Sequence, residues 1–151
     1  MSGRGWIGVD LDGTLAHYDE FEGPAVIGRP VGKMIDRVRP WIERGTDVRI
    51  FTARVWPIVG VIWPDMDVAT APMVSAPRGV TLLEHGRRIT EAGIAAVSIR
   101  RWCELHLGRV LPITCCKDYS MVELWDDRVV QVIKNTGMQV GISSGGFDVH
   151  D

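Results

Sequence analysis

Trp6-Ile7-Gly8-Val9-Asp10-Leu11-Asp12-Gly13-Thr14 is the stretch on which the fold turns. Four residues with no charge run into two acids, and a glycine then allows a sharp turn, so the segment reads as a buried strand that ends in Asp10. Working outward, Val31, Met34, Ile35, Val38, Trp41 and Ile42 recur at helical spacing between Pro30 and Gly45, the punctuation of a helix start and stop. Pro40 falls inside that pattern and is expected to kink or split the helix. Val48, Ile50 and Phe51 form a second strand ending at Thr52. A second helix is expected from Thr90 to His106, with Ala95, Ile99, Trp102 and Leu105 on one face and Gly108 at its end. Leu111 to Cys116, Val122 to Trp125 and Val129 to Ile133 supply three more strand candidates. Strands alternating with helical patterns indicate an α/β fold whose sheet of about five strands is mainly parallel.

The chain has 151 residues, the size of one domain. Residues 1–137 are expected to form it, with 138–151, which carry little periodicity, as a flexible tail. Seventeen Lys and Arg against nineteen Asp and Glu leave a formal charge of -2, so neither nucleic acid nor an anionic membrane is an expected partner. The ten charge-free residues from Val55 to Pro64 include two prolines, whereas a spanning helix needs ~20 apolar residues. The N-terminus lacks a secretory pattern, and three cysteines, two of them adjacent, do not suggest a disulfide framework. A cytoplasmic location is the expectation. Gly3, Gly5 and Gly8 match a dinucleotide-loop pattern but precede the strand instead of following it, so that reading is rejected. Residues 55–83 break the rhythm, with four of the eight prolines and only Asp65, Asp67 and Arg78 as charges. A lid, a homo-oligomer contact and a packed insertion are the readings of this segment, and the first two are favoured because large apolar surfaces rarely stay bare.

Ligands of open α/β sheets gather at the carboxyl ends of the strands. The proposed strands end in Asp10-Leu11-Asp12-Gly13-Thr14, in Thr52-Ala53-Arg54, in Lys117, and in Asp126-Asp127. That set brings carboxylates, a hydroxyl and an ammonium to one crevice. Carboxylates bind a hard divalent cation such as Mg²⁺, and a carboxylate is also a competent nucleophile toward phosphorus. Attack of one anion on another needs cations to offset the charge.

The DLDGT run at Asp10–Thr14, Thr52 after an apolar strand, and Lys117 nine residues before Asp126-Asp127 together resemble the haloacid dehalogenase (HAD) superfamily. The resemblance implies a three-layer sandwich around a Rossmann-like sheet, in a capless or minimally capped type, and a phosphatase acting through an aspartyl-phosphate. By that likeness Asp10 attacks phosphorus, and Asp12 protonates the leaving alcohol before activating water. Thr52 and Lys117 hold the phosphoryl oxygens, with Arg54 as a substrate contact or the partner of a carboxylate. Mg²⁺ is held by Asp10, the Asp12 backbone carbonyl and Asp126, with Asp127 as a further ligand or an orienting partner. The substrate expected is a phosphorylated compound of unspecified class. A catalytically silent binding module on the same fold is the alternative. A receiver domain of two-component signalling fits poorly, since its acid pair comes first in the chain.

Overall fold

A computed structural model describes residues 5–141, and the expected tail at 138–151 lies mostly outside them. Four strands form one all-parallel sheet: β1 (Trp6–Asp10), β2 (Asp47–Phe51), β3 (Ile113–Thr114) and β4 (Met121–Trp125). Their order is β3-β2-β1-β4, so the chain leaves β1 on one side and returns on the other. The carboxyl end of β1 is therefore the point where the topology reverses and a crevice opens.

Strand alternation places Val9, Val48 and Ile50 on one face of the sheet. There they join a buried cluster with Met34, Ile35, Val38 and Ile42 of helix α1 (Gly32–Glu43) and Ala92, Ala96, Ile99 and Cys103 of helix α2 (Leu82–Leu107). The other face carries Trp6, Gly8 and Arg49 and is covered by irregular chain. Arg49 is buried there, its guanidinium 4.6 Å from the Trp6 ring centroid and 5.0 Å from that of Trp63. It donates twice to the Asp47 carboxylate, at 3.1 and 2.9 Å. The segment 115–120 crosses this face, Asp118 accepting from Trp6 Nε1 at 2.9 Å.

Several boundaries differ from the sequence reading, each for a physical reason. α1 runs unbroken through Pro40. The carbonyl left without a donor by the proline is that of Asp36, and both residues are exposed, so the carbonyl is open to solvent and the break carries little cost. α2 begins at Leu82, eight residues before Thr90, because Thr81 caps it by accepting from the Glu84 amide at 3.1 Å. Leu105 is 77% exposed and is no part of the buried face. The fifth expected strand, Val129–Ile133, does not join the sheet. Gln131 and Ile133 bond instead to Val140 and Met138 across a local turn in which Asn135 and Gly137 have φ of 65° and 73°.

The 55–83 segment is packed against its own chain. Ile58 and Ile62 are fully buried, Ile62 exchanges backbone hydrogen bonds with Ile113 at the sheet edge, and Arg100 donates to the carbonyls of Trp63 and Met66. Among the described residues no helix is long and apolar enough to cross a membrane.

Candidate functional site

The carboxyl ends of the strands border a cleft of about 490 Å³, with Asp10, Asp12, Thr52, Arg54 and Asp126 in its lining. β1 delivers Asp10 at its last residue, and the chain then turns through Gly13, whose φ is +86°. Glycine is required there twice over. The backbone is left-handed, and a Cβ on Gly13 would lie 2.5 Å from Asp127 Oδ2. The turn thus lets the acids that follow β4 approach those that follow β1.

Carboxylate oxygens of Asp10, Asp126 and Asp127 lie within 4.8 Å of one another. Thr14 Oγ1 donates toward Asp10 Oδ2 and Asp127 Oδ1, each at 3.4 Å, and the Arg128 amide donates to Asp126 Oδ1 at 2.8 Å. Burial first, then a hydrogen bond with Asp127 and the charges of Asp126, Asp127 and Asp12, push the Asp10 carboxyl up to about 7. Three crowded oxygen ligands, one of them retaining a proton near neutrality, are a set that a hard divalent cation satisfies. The donor set fits Mg²⁺ through Asp10, Asp126 and Asp127.

Asp12 is turned another way. Arg54 Nε and Nη2 donate to its two carboxylate oxygens at 2.7 and 2.9 Å, a bidentate pair. The Arg54 side chain is 7% exposed, and its Nη1 also donates to the Gly23 carbonyl at 3.2 Å. Asp12 therefore brings no side-chain oxygen to the acid trio, and only its backbone carbonyl remains for the metal role the resemblance assigns. Arg54 makes the expected pairing with a carboxylate, and it also borders the cleft.

Thr52 is buried at the end of β2, accepting from the Arg54 amide at 3.2 Å. Lys117 forms no ion pair with these acids among the described residues. It is exposed and does not line the cleft, and its neighbour Asp118 bonds Trp6 at the opposite end of β1. β3 ends at Thr114, three residues earlier, and the chain turns back across the sheet where a strand-end lysine was expected.

The sequence reading missed other groups in the cleft. Tyr18 and Phe21 enter from the β1–α1 loop, Trp56 from the turn after β2, Arg88 and Glu91 from α2, and Arg128 from beyond β4. Arg88, Glu91 and Ala95 follow the i, i+3, i+7 spacing of one helix face. The Thr81-x-x-Glu84 signal, read as a capping box, places them on α2 from sequence alone. The loop bearing Tyr18 and Phe21 is fixed by Trp102 Nε1 donating to Gly28 O at 2.9 Å and by the His17 amide donating to Arg29 O at 2.8 Å.

Burial pushes the Cys115 thiol up to about 12 and that of Cys103 to about 11, so neither is a thiolate near neutral pH. No family model, no curated protein and no solved structure matches the chain.

Proposed function

We propose that the protein is a Mg²⁺-dependent phosphomonoester hydrolase of the HAD type, capless or minimally capped, acting through an aspartyl-phosphate on Asp10. The observation that carries this reading is the trio of Asp10, Asp126 and Asp127 carboxylates within 4.8 Å, at the switch point of a parallel sheet and beside Thr52. The same reading takes the fold as a reduced form of the three-layer sandwich, in which chain segments 55–83 and 115–120 stand in for the second helical layer. The absence of an inserted cap domain between β1 and β2 agrees with it.

In this mechanism an Asp10 oxygen forms a bond to phosphorus as the ester P–O bond breaks, and the leaving oxygen takes a proton from Asp12. Water then attacks the same phosphorus, Asp12 takes up its proton, the Asp10–phosphate bond breaks, and inorganic phosphate departs. Mg²⁺, when bound, offsets the charge of the two approaching anions. Thr52 Oγ1 donates to a phosphoryl oxygen. Arg88 and Arg128, which line the cleft, supply the side-chain cations that the resemblance assigned to Lys117.

One observation favours the second reading, a catalytically silent binding module. The Asp12 carboxylate accepts two charge-assisted bonds from Arg54, and an acid so engaged must leave its partner before it delivers a proton. A single experiment separates the two. The pure protein is assayed on an aryl phosphate and a metabolite panel with Mg²⁺, with EDTA, and as Asp10→Asn. The hydrolase reading expects turnover that EDTA and Asp10→Asn both abolish. No metal-dependent turnover on any substrate, or an Asp10→Asn protein that keeps most of it, refutes the covalent route.

A further inference from the structure

We propose that the cleft selects phosphomonoesters whose leaving group carries a planar aromatic ring, nucleoside monophosphates being the chemical class, and seats that ring against Tyr18, Phe21 and Trp56. This inference rests on the phosphoryl-binding reading of the same site.

A phosphoryl group fills only a small part of a cleft of about 490 Å³, so most of its space faces the leaving group. One wall of that space is aromatic and apolar, formed by Tyr18, Phe21, Pro24, Trp56 and Ala95, and stands beside the charged Arg88, Glu91 and Arg128. A sugar or polyol leaving group is normally read by amide and hydroxyl side chains. The chain has a single asparagine, Asn135, and two glutamines, Gln131 and Gln139, and none of them borders the cleft. A ring offers its face, which aromatic side chains recognise with ~1–3 kcal/mol of stacking per base.

The wall is also built in advance. Phe21 is 55% exposed and so contributes little to the core. Its ring nevertheless has the Arg54 guanidinium carbon 5.3 Å from its centroid. Arg54 is in turn anchored on Asp12 and on the Gly23 carbonyl of the same loop. Trp56 is held from two directions, with the Arg88 guanidinium 5.6 Å from its ring centroid and His85 edge-on at 6.2 Å. An exposed aromatic fixed beside the phosphoryl-binding acids has little entropy left to lose when a ring stacks on it.

The test is equilibrium binding to the Asp10→Asn protein with Mg²⁺, using adenosine 5′-monophosphate and ribose 5-phosphate, which share the sugar phosphate and differ in the base. The nucleotide is expected to bind at least ~5-fold more tightly, the low end of one stacked base. Phe21→Ala and Trp56→Leu are each expected to reduce that ratio severalfold, and Phe21→Tyr to restore it. Phe21 is exposed, so its variants carry little folding risk, and circular dichroism checks the Trp56 variant. Equal affinity for the two ligands, no binding of either, or a ratio that survives both substitutions overturns the proposal. Wild-type protein is assayed on the same pair. Base-dependent binding without turnover sinks the hydrolase and leaves the ring site standing. Equal turnover of both phosphates supports the hydrolase and overturns the ring site.

Discussion

Removing the charge of Asp10 is expected to stabilise the metal-free protein above neutral pH. The carboxyl is pushed from 3.8 to about 7 by burial and by Asp127, Asp126 and Asp12. Between those two values the native state binds more protons at this position than the unfolded chain does. Stability associated with the protonated group is therefore complete below about pH 3.8 and is lost as pH rises through 7. At ~1.36 kcal/mol per unit, a shift of roughly three units corresponds to about 4 kcal/mol without screening. Asp10 is only partly buried, and solvent screening reduces this to about 1–2 kcal/mol. Asparagine keeps the shape of the protonated acid and cannot ionise. Asp10→Asn should accordingly raise Tm in EDTA at about pH 8 by ~2–8 °C for a chain of this size, and the gain should nearly vanish at about pH 4. Thermal denaturation followed by circular dichroism at both pH values measures it. A variant less stable than wild type at pH 8, or one with the same increment at both pH values, would refute the reasoning.

Three further outcomes follow from the same geometry. Mg²⁺ should raise the wild-type Tm at about pH 8 and much less at about pH 5, because the cation displaces the Asp10 proton; an equal shift at both would show that it binds elsewhere. Gly13→Ala places a Cβ 2.5 Å from Asp127 Oδ2 at φ +86°, so it should lower stability by more than ~1 kcal/mol and abolish the Mg²⁺-dependent Tm shift, whereas a retained shift would mean that Asp127 is not needed for the ion. Lys117→Ala should change kcat/KM on an aryl phosphate by less than about threefold, under 1 kcal/mol of transition-state stabilisation. A hundredfold loss would require Lys117 to reach the cleft during turnover.

The sequence carried the parts of the fold that repeat. Val9, Val48 and Ile50, and Met34, Ile35, Val38 and Ile42, have the periods of strand and helix, and all are buried. The acid cluster was legible too, because Asp10, Asp126 and Asp127 immediately follow or end apolar runs, and strand direction alone gathers such residues at one end of a parallel sheet. The misreadings lie where local signals compete. Val129 to Ile133 has the composition of a strand, yet the turn at Asn135 and Gly137 pairs it with its own neighbours. Lys117 has the expected spacing along the chain, but spacing does not reveal that β3 stops at Thr114 and that the chain then recrosses the sheet. The aromatic wall was hidden because Phe21 and Trp56 sit in irregular segments, where no period signals which way a side chain points. Ile58 and Ile62 likewise belong to the core although their segment has no regular pattern.

Arg49 gives the side of the sheet opposite the helices a shared fastening. One buried guanidinium touches Trp63 of the 55–83 segment and Trp6 of β1, and it lies 4.0 Å from Asp118 of the 115–120 crossing. Two residues of irregular chain 55 positions apart, Trp63 and Asp118, thereby meet the same point of the sheet. Neither can lift away without removing a neighbour from a cation that is 8% exposed, although its two bonds to Asp47 remain. Their openings are consequently joined: the amides of Ile62 and Met121 should exchange with solvent in step, as one cooperative unit. Arg49 thus adds a common contact to the separate anchors of each stretch, the Ile62–Ile113 backbone bonds for one and the Trp6–Asp118 bond for the other.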